Sequence, residues 1–353
     1  MKILLLGEFS ALNQNLKEGL LKLGHDVVLL ADGDGWKQIN ESAQPLYQGS
    51  GDYKKIIDYL SNFKNFDVVQ CVGPVLFKRT FNNQILKRVQ QNNRILVLNA
   101  AGDNSIVYNA YLHHKYRYFV YDNDDKWERL YGKKYVKGFM RSFLERQIFL
   151  RADGIIPTAY EYAEAFRLFP NCRRSILLPI SCDKVKYKDN IILNNKILFF
   201  HGINRPLSKG SNYIITAMKK LKEKYPNDVD IIINDRMPLS EYLKVMSKVN
   251  VVLDQCKVYS RGMNALYAMA EGKIVMGGNE PEDAKEFKIE PSPIINIIPD
   301  ENQIYNEMIK ILENKQYISE WGYKSRVFVE EHHDSSLIAS QYVNEWRNIQ
   351  NGN

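Results

Sequence analysis

The sequence predicts an α/β protein with two domains, each built around a parallel β-sheet. Short, fully apolar segments alternate with helical segments along most of the chain, which is typical of strands covered by helices on both faces. The 353 residues exceed what one hydrophobic core usually contains. Because residues 184–195 are polar and aperiodic, we expect a first domain at 1–185, a linker at 186–195 and a second domain at 196–330.

The composition restricts the class of protein. No apolar run approaches the roughly 20 residues of a membrane-spanning helix, and we expect no signal peptide before the first strand. The four cysteines form no C-x-x-C pair, so we expect a cytoplasmic setting without a structural metal. Residues 1–190 carry 28 Lys and Arg against 20 Asp and Glu, whereas the remainder carries 20 against 21. The basic first half favours an anionic surface or partner there, and not general nucleic-acid binding.

The first domain opens with the strand–helix–strand order of Rossmann-like domains. An apolar strand at 2–6 precedes a helix with leucine at every third or fourth position, and a second strand follows at 27–30. The G-x-G-x-x-G loop of dinucleotide sites is absent. The remaining pattern predicts strands at 66–71, 95–98, 154–158 and 176–180, and helices at 56–63, 81–91, 145–152 and 160–168.

Polar residues at 99–105 follow the strand at 95–98. Ligands of parallel sheets bind beyond the carboxyl ends of the strands. Asp103 and Asn104 are therefore candidates to orient an acceptor or a sugar hydroxyl, and an ordinary loop turn is the alternative.

The segment 111–149 interleaves Tyr, Phe and Trp with Lys and Arg. Interfacial helices mix side chains in this way, because aromatic rings and long cationic side chains both suit the headgroup layer of a membrane. A helical acceptor domain with solvated charges is the alternative. No RNA-binding motif accompanies the pattern, which disfavours a nucleic-acid partner.

The second domain is organised around residues 251–282. Two apolar strands at 251–253 and 274–276 flank a nearly all-apolar helix at 263–270 that ends at Gly272, and this order predicts a buried parallel βαβ unit. The flanking pattern predicts strands at 196–200, 229–233 and 294–298, and helices at 213–224, 239–247, 303–313, 319–331 and 335–347.

A cationic loop follows the strand at 196–200. Arg205 and Lys209 lie four residues apart, and Gly202 and Gly210 allow the backbone to turn closely around a ligand. A diphosphate leaving group gains negative charge as its bond to a sugar breaks, and fixed cations stabilise that charge. We interpret Arg205 and Lys209 as the catalytic cations, with a solvated basic loop as the alternative.

Five segments, in this order, resemble the retaining GT-B glycosyltransferases of the "glycosyl transferases group 1" family. They are FDVVQCVGP at 66–74, ERQIFLRADGIIPTAYEYAEAF at 145–166, LLPISCD at 177–183, HGINRPLSKG at 201–210 and GMNALYAMAEGKIVMGGNEPE at 262–282. The resemblance covers nearly the whole chain. It implies two Rossmann-like domains facing each other across a cleft, and a last helix at 331–353 that crosses back to the first domain.

The resemblance also implies the chemistry. A sugar would move from a nucleoside-diphosphate sugar to an acceptor hydroxyl with retention of configuration, without a metal and without a cofactor other than this co-substrate. For His201 and Tyr267 a structural role is an equal alternative, and for Glu282 a solvated loop acid is the alternative. The candidate donor-binding residues are His201, Gly202, Gly210, Arg261, Gly262, Met263, Asn264, Tyr267, Gly278 and Glu282.

The sequence departs from the family at the donor helix. The family has two acidic residues eight positions apart, and here those positions hold Tyr259 and Tyr267. A tyrosine lacks the bidentate carboxylate that pairs with two ribose hydroxyls, which leaves the donor open. The D-x-D triplets of metal-using transferases occur at 32–34, 122–124 and 228–230, in turn or flanking contexts that carry little weight.

The sequence thus predicts a cytoplasmic glycosyltransferase of surface polysaccharide synthesis, working at the inner face of the membrane. Its partners would be a nucleoside-diphosphate sugar and a glycan or lipid-linked glycan, with peripheral membrane contact through 111–149. Two alternatives stay open: a nucleotide-sugar epimerase on the same fold, and a non-catalytic protein that binds sugar nucleotides.

Overall fold

The chain forms two compact units. The structure is a computed structural model that describes residues 1–31, 43–46, 53–74, 76, 82–118, 120–121, 125–132, 134–203, 205–235 and 244–352. One unit comprises Met1–Tyr116, Asn123–Ser181 and Asp334–Asn353, and the other comprises Arg117–Asp122 and Cys182–His333.

The first unit contains a parallel five-stranded sheet of order β2-β1-β3-β4-β5. The strands are apolar, and every residue from Ile3 to Leu6 at the centre is fully buried, so helices must cover both faces of the sheet. The strands are β1 (Lys2–Leu6), β2 (Asp26–Leu30), β3 (Val68–Cys71), β4 (Leu96–Ala100) and β5 (Gly154–Pro157). The helices of this unit up to residue 181 are Leu12–Lys22, Tyr53–Leu60, Asn82–Gln91, Ser105–Leu112, Asp125–Tyr131, Val136–Arg151 and Tyr160–Phe166.

The second unit contains a parallel sheet of order β10-β9-β8-β6-β7. Its central strands contribute to one hydrophobic core, and the helix between β8 and β9 is also apolar and mostly buried. The strands are β6 (Ile197–Ile203), β7 (Val229–Asp235), β8 (Val251–Leu253), β9 (Ile274–Gly277) and β10 (Ile295–Asn296), and the helices are Pro206–Lys209, Ser211–Lys224, Met263–Ala270, Pro281–Phe287, Glu301–Glu313 and Ile318–His333.

The two sheets share one strand order. Counted within each unit it is 2-1-3-4-5, so the direction in which successive strands are added to the sheet reverses between β1 and β3 in the first sheet and between β6 and β8 in the second. Such a switch point opens a crevice between the two loops at the carboxyl ends of those strands, where ligands of α/β sheets bind. In the second unit these loops are 205–210 and 254–262.

The last helix, Ser335–Gln350, belongs to the first unit. It packs against the helix Leu12–Lys22, where a Cβ on Gly19 would lie 2.0 Å from the carbonyl oxygen of Ser335, so a glycine is required at this crossing. The indole of Trp346 donates to Gln70 Oε1 at 2.9 Å, and the Tyr342 hydroxyl donates to Asn99 Oδ1 at 3.2 Å. Because all four side chains are fully buried, these bonds satisfy polar groups on the central strands.

Several predicted elements differ from the structure. Residues 176–180 form no strand beyond an isolated bridge between Ile180 and Asp334. The amide of Ile176 donates to the carbonyl of Pro157 at 2.9 Å, and such single contacts do not make a ladder. Strand β6 continues to Ile203, three residues past its predicted end. Part of the predicted helix 239–247 and the triplets at 32–34 and 122–124 lie outside the described residues, although 244–246 is helical.

Among the described residues, no helix combines the length and the hydrophobicity needed to cross a lipid bilayer.

Replacing Trp346 with alanine tests the contribution of the last helix. Trp346→Ala should lower the free energy of unfolding of the first unit by about 3–5 kcal/mol, because it leaves a cavity and removes the donor to Gln70. Leu168→Ala is the control, since that side chain is 87% exposed and should change stability by less than about 0.5 kcal/mol. Urea denaturation followed by circular dichroism measures both, and equal stabilities would show that the helix does not stabilise this unit.

Candidate functional site

The switch point of the second sheet is the candidate site. The loop after β6 holds Arg205 and Lys209 on either side of a single helical turn, and the amide of Lys209 donates to the carbonyl of Arg205 at 2.9 Å. Arg205 is exposed, whereas Lys209 is buried. The two predicted cations therefore differ in how much of each side chain a ligand could contact.

Lys209 forms a buried ion pair with Asp254 of the loop after β8. Lys209 Nζ lies 2.9 Å from Asp254 Oδ1, and Asn264 Nδ2 donates to the same oxygen at 3.0 Å. Burial alone would raise the pKa of the Asp254 carboxyl, but the Lys209 ammonium and these hydrogen bonds lower it overall. The pair ties the two loops of the switch point together, and Asp254 was not identified from the sequence.

His201 lies beneath this pair and is fully buried. Its Nδ1 lies 2.8 Å from the carbonyl oxygen of Leu253, and its Nε2 lies 2.9 Å from the hydroxyl oxygen of Ser211. A carbonyl can only accept, so Nδ1 carries the proton and Nε2 accepts from Ser211. Burial lowers the pKa of His201 to about 4. Both ring nitrogens are thus occupied within the protein, which matches the structural alternative for this residue.

Gly210 is held in a tight turn beside the loop after β8. Its φ of +71° lies in the left-handed region, and an added Cβ would lie 2.4 Å from Cys256 Sγ and 3.3 Å from Lys257 Cγ. Lys257 is a third cation at this turn, and it is buried. Gly202, by contrast, lies within β6 and its φ is not positive.

Arg261 belongs to a second buried ion pair. Its Nη1 lies 2.5 Å from Asp283 Oδ2, and its Nε donates to His333 Nε2 at 2.9 Å. The guanidinium also lies 5.2 Å from the centroid of the Phe328 ring. The contacts of Arg261 are therefore with side chains of the same chain. They join the loop before the helix 263–270 to the helices at 281–287 and 318–333.

The helix between β8 and β9 begins at Met263 and ends at Ala270. Gly262 is its N-cap and makes no side-chain cap hydrogen bond, and Met263 is buried while Asn264 and Tyr267 are half-buried. Gly278 lies at the end of β9, where an added Cβ would lie 2.6 Å from the carbonyl oxygen of Val258. This close approach explains the glycine at 278 by packing.

Glu282 pairs with Arg117. Arg117 donates to both oxygens of Glu282, at 2.5 and 3.1 Å, and Nη2 also lies 2.7 Å from Glu280 Oε2. The Arg117 guanidinium lowers the pKa of the Glu282 carboxyl. Tyr259, which stands where the family has an acid, accepts the backbone N–H of Arg117 at 2.6 Å, and its ring lies 5.7 Å from that of Tyr118.

Arg117, Tyr118 and Glu280 were not assigned to the site from the sequence. Glu280 is buried and its Oε1 accepts the Tyr118 hydroxyl at 2.8 Å. A signal was present, since the basic aromatic segment 111–149 contains Arg117 and Tyr118, and Glu280 stands two residues before Glu282. Sequence spacing does not reveal the pairing, because Arg117 and Glu282 are 165 residues apart.

The acceptor-side candidates lie at the start of the helix Ser105–Leu112. Asn104 is its N-cap: Oδ1 accepts the amides of Ile106 and Val107, and the residue is buried. Asp103 is exposed, and its carbonyl accepts the Tyr131 hydroxyl. The structure thus assigns Asn104 a capping role, whereas Asp103 presents an exposed side chain.

In the first unit, a carboxylate of the chain itself accepts the backbone amides at the start of the helix Leu12–Lys22. Glu8 follows β1, is buried, and accepts the amides of Asn13 and Gln14 at 3.0 and 2.8 Å. The equivalent loop of the second unit, residues 201–212, contains no acidic residue and holds Arg205 and Lys209. An anion at this place would therefore lie near cations in the second unit, whereas in the first unit the Glu8 carboxylate already accepts hydrogen bonds from the amides at the helix start.

No group of three or more His, Cys, Asp and Glu side chains placed to hold a metal ion occurs in the part of the chain that the structure describes.

Comparisons with known proteins identify the fold. No protein-family model matches the sequence, and no curated protein matches it. The structure is similar to sucrose-phosphate synthase from Thermosynechococcus elongatus, with a TM-score of 0.64 and 15% identity over 100% of both chains. It is similar to Anabaena HepE in complex with UDP-glucose, with a TM-score of 0.63 and 13% identity over 99% of this chain and 100% of that chain.

A third similar structure is described as a UDP-N-acetylglucosamine 2-epimerase from Listeria monocytogenes. Its TM-score is 0.51 at 13% identity, over 97% of this chain and 95% of that chain. Identities this low establish the fold alone. Two Rossmann-like domains with parallel sheets, similar to GT-B glycosyltransferases over the full length, confirm the predicted fold class.

Gly210→Ala tests the turn between the two loops. The variant should lose about 1–2 kcal/mol of unfolding free energy from the left-handed backbone, and about 1–3 kcal/mol more from the overlap with Cys256. In a Cys256→Ala background the second contribution should disappear. A double-mutant cycle from urea denaturation measures this coupling, and additive losses would contradict the contact.

The buried His201 should make stability depend on pH. Its folded pKa of about 4 lies below its ordinary value of 6.5, so the unfolded chain binds the proton more readily. Its contribution is complete above about pH 6.5 and is lost as the pH falls towards about 4, by about 3 kcal/mol in total.

Urea denaturation across this range, with the variant His201→Gln, is the measurement. The slope between about pH 6.5 and 4 should flatten in this variant and persist in His113→Gln, since His113 is exposed. The lowered carboxyl pKa of Asp254 affects stability only at more acid pH. An unchanged slope in His201→Gln would contradict the assignment.

Proposed function

We propose that the protein is a glycosyltransferase that moves a sugar from a nucleoside-diphosphate sugar to a glycan or lipid-linked glycan hydroxyl. The observation that carries this proposal is the contrast between the two switch points. The second unit has Arg205 and Lys209 after its first strand, whereas the first unit has Glu8 bound to the amides that an anion would use. The donor diphosphate therefore belongs to the second unit.

The cations of the second unit suit a departing diphosphate. Arg205 is exposed and offers a planar fork of donors that matches phosphate oxygens. Lys209 and Lys257 flank Gly210, and Lys209 is held in place by Asp254. A cation that is already positioned stabilises the leaving group without reorganisation when the bond to the sugar breaks.

The mechanism we propose is retaining and independent of metal. The bond from the anomeric carbon to the diphosphate breaks, and a bond to the acceptor oxygen forms on the same face of the sugar. The donor phosphate takes the acceptor proton. Glu282, with its lowered pKa, is ionised and accepts hydrogen bonds, so it serves as a contact for sugar hydroxyls and not as a proton donor.

The setting we propose is the cytoplasmic face of a membrane, in surface polysaccharide synthesis. The basic aromatic segment 111–149 supports this proposal, because it would meet an acceptor carried by a lipid. The nucleoside-diphosphate sugar is then a co-substrate from solution, and the glycan is supplied at the membrane.

An epimerase is the second candidate. The observation in its favour is the similarity to the Listeria structure described as a UDP-N-acetylglucosamine 2-epimerase. An epimerase would convert the sugar nucleotide in the absence of any acceptor. A non-catalytic sugar-nucleotide-binding role is the third, and Tyr259 and Tyr267 at the positions of the family's two acids favour it.

Donor binding tests the proposal directly. UDP-, GDP-, ADP- and CMP-sugars are screened by thermal shift with and without EDTA, and a ligand at 100 times its Kd should add about 2.7 kcal/mol of stability. One nucleotide class should stabilise the protein regardless of EDTA. Arg205→Ala should then weaken that ligand by about tenfold or more, since it removes a charged hydrogen-bond donor.

The role of Lys209 must be tested with a variant that leaves no buried carboxylate without its cation. Lys209→Met alone would leave Asp254 buried and unpaired, at a cost of about 3–5 kcal/mol, so it is combined with Asp254→Asn. Lys219→Ala is the control for the loss of one positive charge in Arg205→Ala, because Lys219 is exposed on the helix 211–224. The pair variant should lose donor affinity and the control should keep it.

The outcomes separate the candidate functions. Donor binding that survives both Arg205→Ala and the pair variant would overturn the phosphate site. Product analysis of a bound donor by mass spectrometry and NMR then distinguishes transfer to an added glycan from conversion to an epimer. Binding with neither product supports the non-catalytic role.

A further inference from the structure

The helix Val136–Arg151 has an exposed apolar face. Its large side chains recur at the spacing of one helix face and are open to solvent, up to 79% for Val136. Surface helices normally turn such a face to the core. The members of this outer face are Val136, Phe139, Met140, Phe143, Leu144 and Leu150, and their exposed fractions run from 36% to 79%.

The buried side of the same helix carries charge. Glu145 is 2% exposed, accepts the amide of Ser105 at 2.8 Å, and pairs with Arg141 Nε at 2.7 Å. Arg141 also donates to the Tyr131 hydroxyl. Between residues 139 and 145 the helix therefore has its ion pair inside and Phe139 and Phe143 outside, which is the reverse of an ordinary surface helix.

The buried contacts of Glu145 determine the rotation of the helix about its own axis. Rotating the helix to bury Phe139 and Phe143 would expose the Glu145 pair and remove the acceptor for the Ser105 amide. The inner hydrogen bonds thus fix the orientation, and the apolar face remains outside. A contiguous apolar face held open in this way marks an interaction surface.

The charges beside the apolar face are all positive. Lys137 and Arg146 are exposed at its two edges on the helical wheel, and Lys134 is exposed just before the helix. In the sequence 134–151, Glu145 is the only acid, and it is buried. Two copies of this surface would repel each other, whereas an anionic surface would attract it.

We infer that the outer face of the helix 136–151 docks on the surface of a bilayer containing anionic phospholipid. The helix lies in the plane of the interface, with Phe139, Met140 and Phe143 among the acyl chains near the headgroups. Lys134, Lys137 and Arg146 meet the lipid phosphates. The half-buried Trp127 and exposed Lys126 lie on the preceding helix, which packs against this one.

This inference deepens the membrane contact in the proposed function and rests on it for its purpose, which is to bring the protein to a lipid-linked acceptor. The surface lies in the first unit, and the donor cations lie in the second. Vesicle binding requires no donor and no transfer, so its failure would leave the donor site untouched, and a failed donor screen would leave the docking surface untouched.

Vesicle co-sedimentation of the full chain is the test. The probes are vesicles of phosphatidylcholine alone and vesicles of equal amounts of phosphatidylcholine and phosphatidylglycerol. The protein should bind the mixed vesicles, and raising the salt from about 0.1 M to about 1 M should weaken binding, because the Debye length falls from about 10 Å to about 3 Å. Phe139→Gln with Phe143→Gln should weaken binding by at least about tenfold.

Matched variants separate the face from hydrophobicity in general. Leu21→Gln with Leu168→Gln removes two exposed apolar side chains elsewhere in the same unit and should bind as the unchanged protein does. Lys137→Glu with Arg146→Glu should lose the preference for phosphatidylglycerol. All of these side chains are exposed, so the melting temperatures should stay close to that of the unchanged protein.

Three results would overturn the inference. One is equal binding by the Phe139→Gln, Phe143→Gln variant and the Leu21→Gln, Leu168→Gln control. Another is the same affinity for vesicles with and without phosphatidylglycerol. The third is a dimer, seen by light scattering, that the two phenylalanine substitutions abolish, because the face would then cover a second copy of this chain.

Discussion

The buried ion pair between Lys209 and Asp254 is the interaction on which the second unit's site depends. It joins the loop after β6 to the loop after β8, the two loops between which the strand order reverses. A charged pair out of water is stable only when its remaining hydrogen-bonding groups are satisfied. Asn264 donates to the same carboxylate, and the Gly202 carbonyl lies 3.4 Å from Lys209 Nζ. The pair thus specifies the shape of the crevice more than it adds stability.

A second buried ion pair lies at the neighbouring loop. Arg261 and Asp283 are both buried, and His333 accepts from the same guanidinium. Together the two pairs engage two of the three cations that the sequence assigns to the donor. Arg205 and Lys257 are the other two cations beside Gly210, the first exposed and the second buried. The diphosphate recognition that we propose would therefore involve both exposed and buried cations.

The two units show how one topology serves two purposes. Both sheets have the order 2-1-3-4-5, so both present a crevice at the same place. In the first unit Glu8 binds the amides at the start of the helix 12–22, and in the second unit cations take the corresponding loop. The difference lies in a few side chains and not in the backbone. The first unit instead exposes an apolar and basic face on the helix 136–151.

The sequence alone determined the fold class, and it predicted a candidate site after β6. Parallel strands are buried on both faces, so their apolar runs are visible without a structure, and the cations after β6 stand in a recognisable order. The sequence misassigned residues 176–180, because an apolar run does not show whether a neighbouring strand exists. Tertiary structure alone decided which polar residues are already occupied. Asp254 lies 45 residues from Lys209, and Asp283 lies 22 from Arg261. Electrostatic pairing depends on distance in space, and these distances are set only when the sheet brings the loops together.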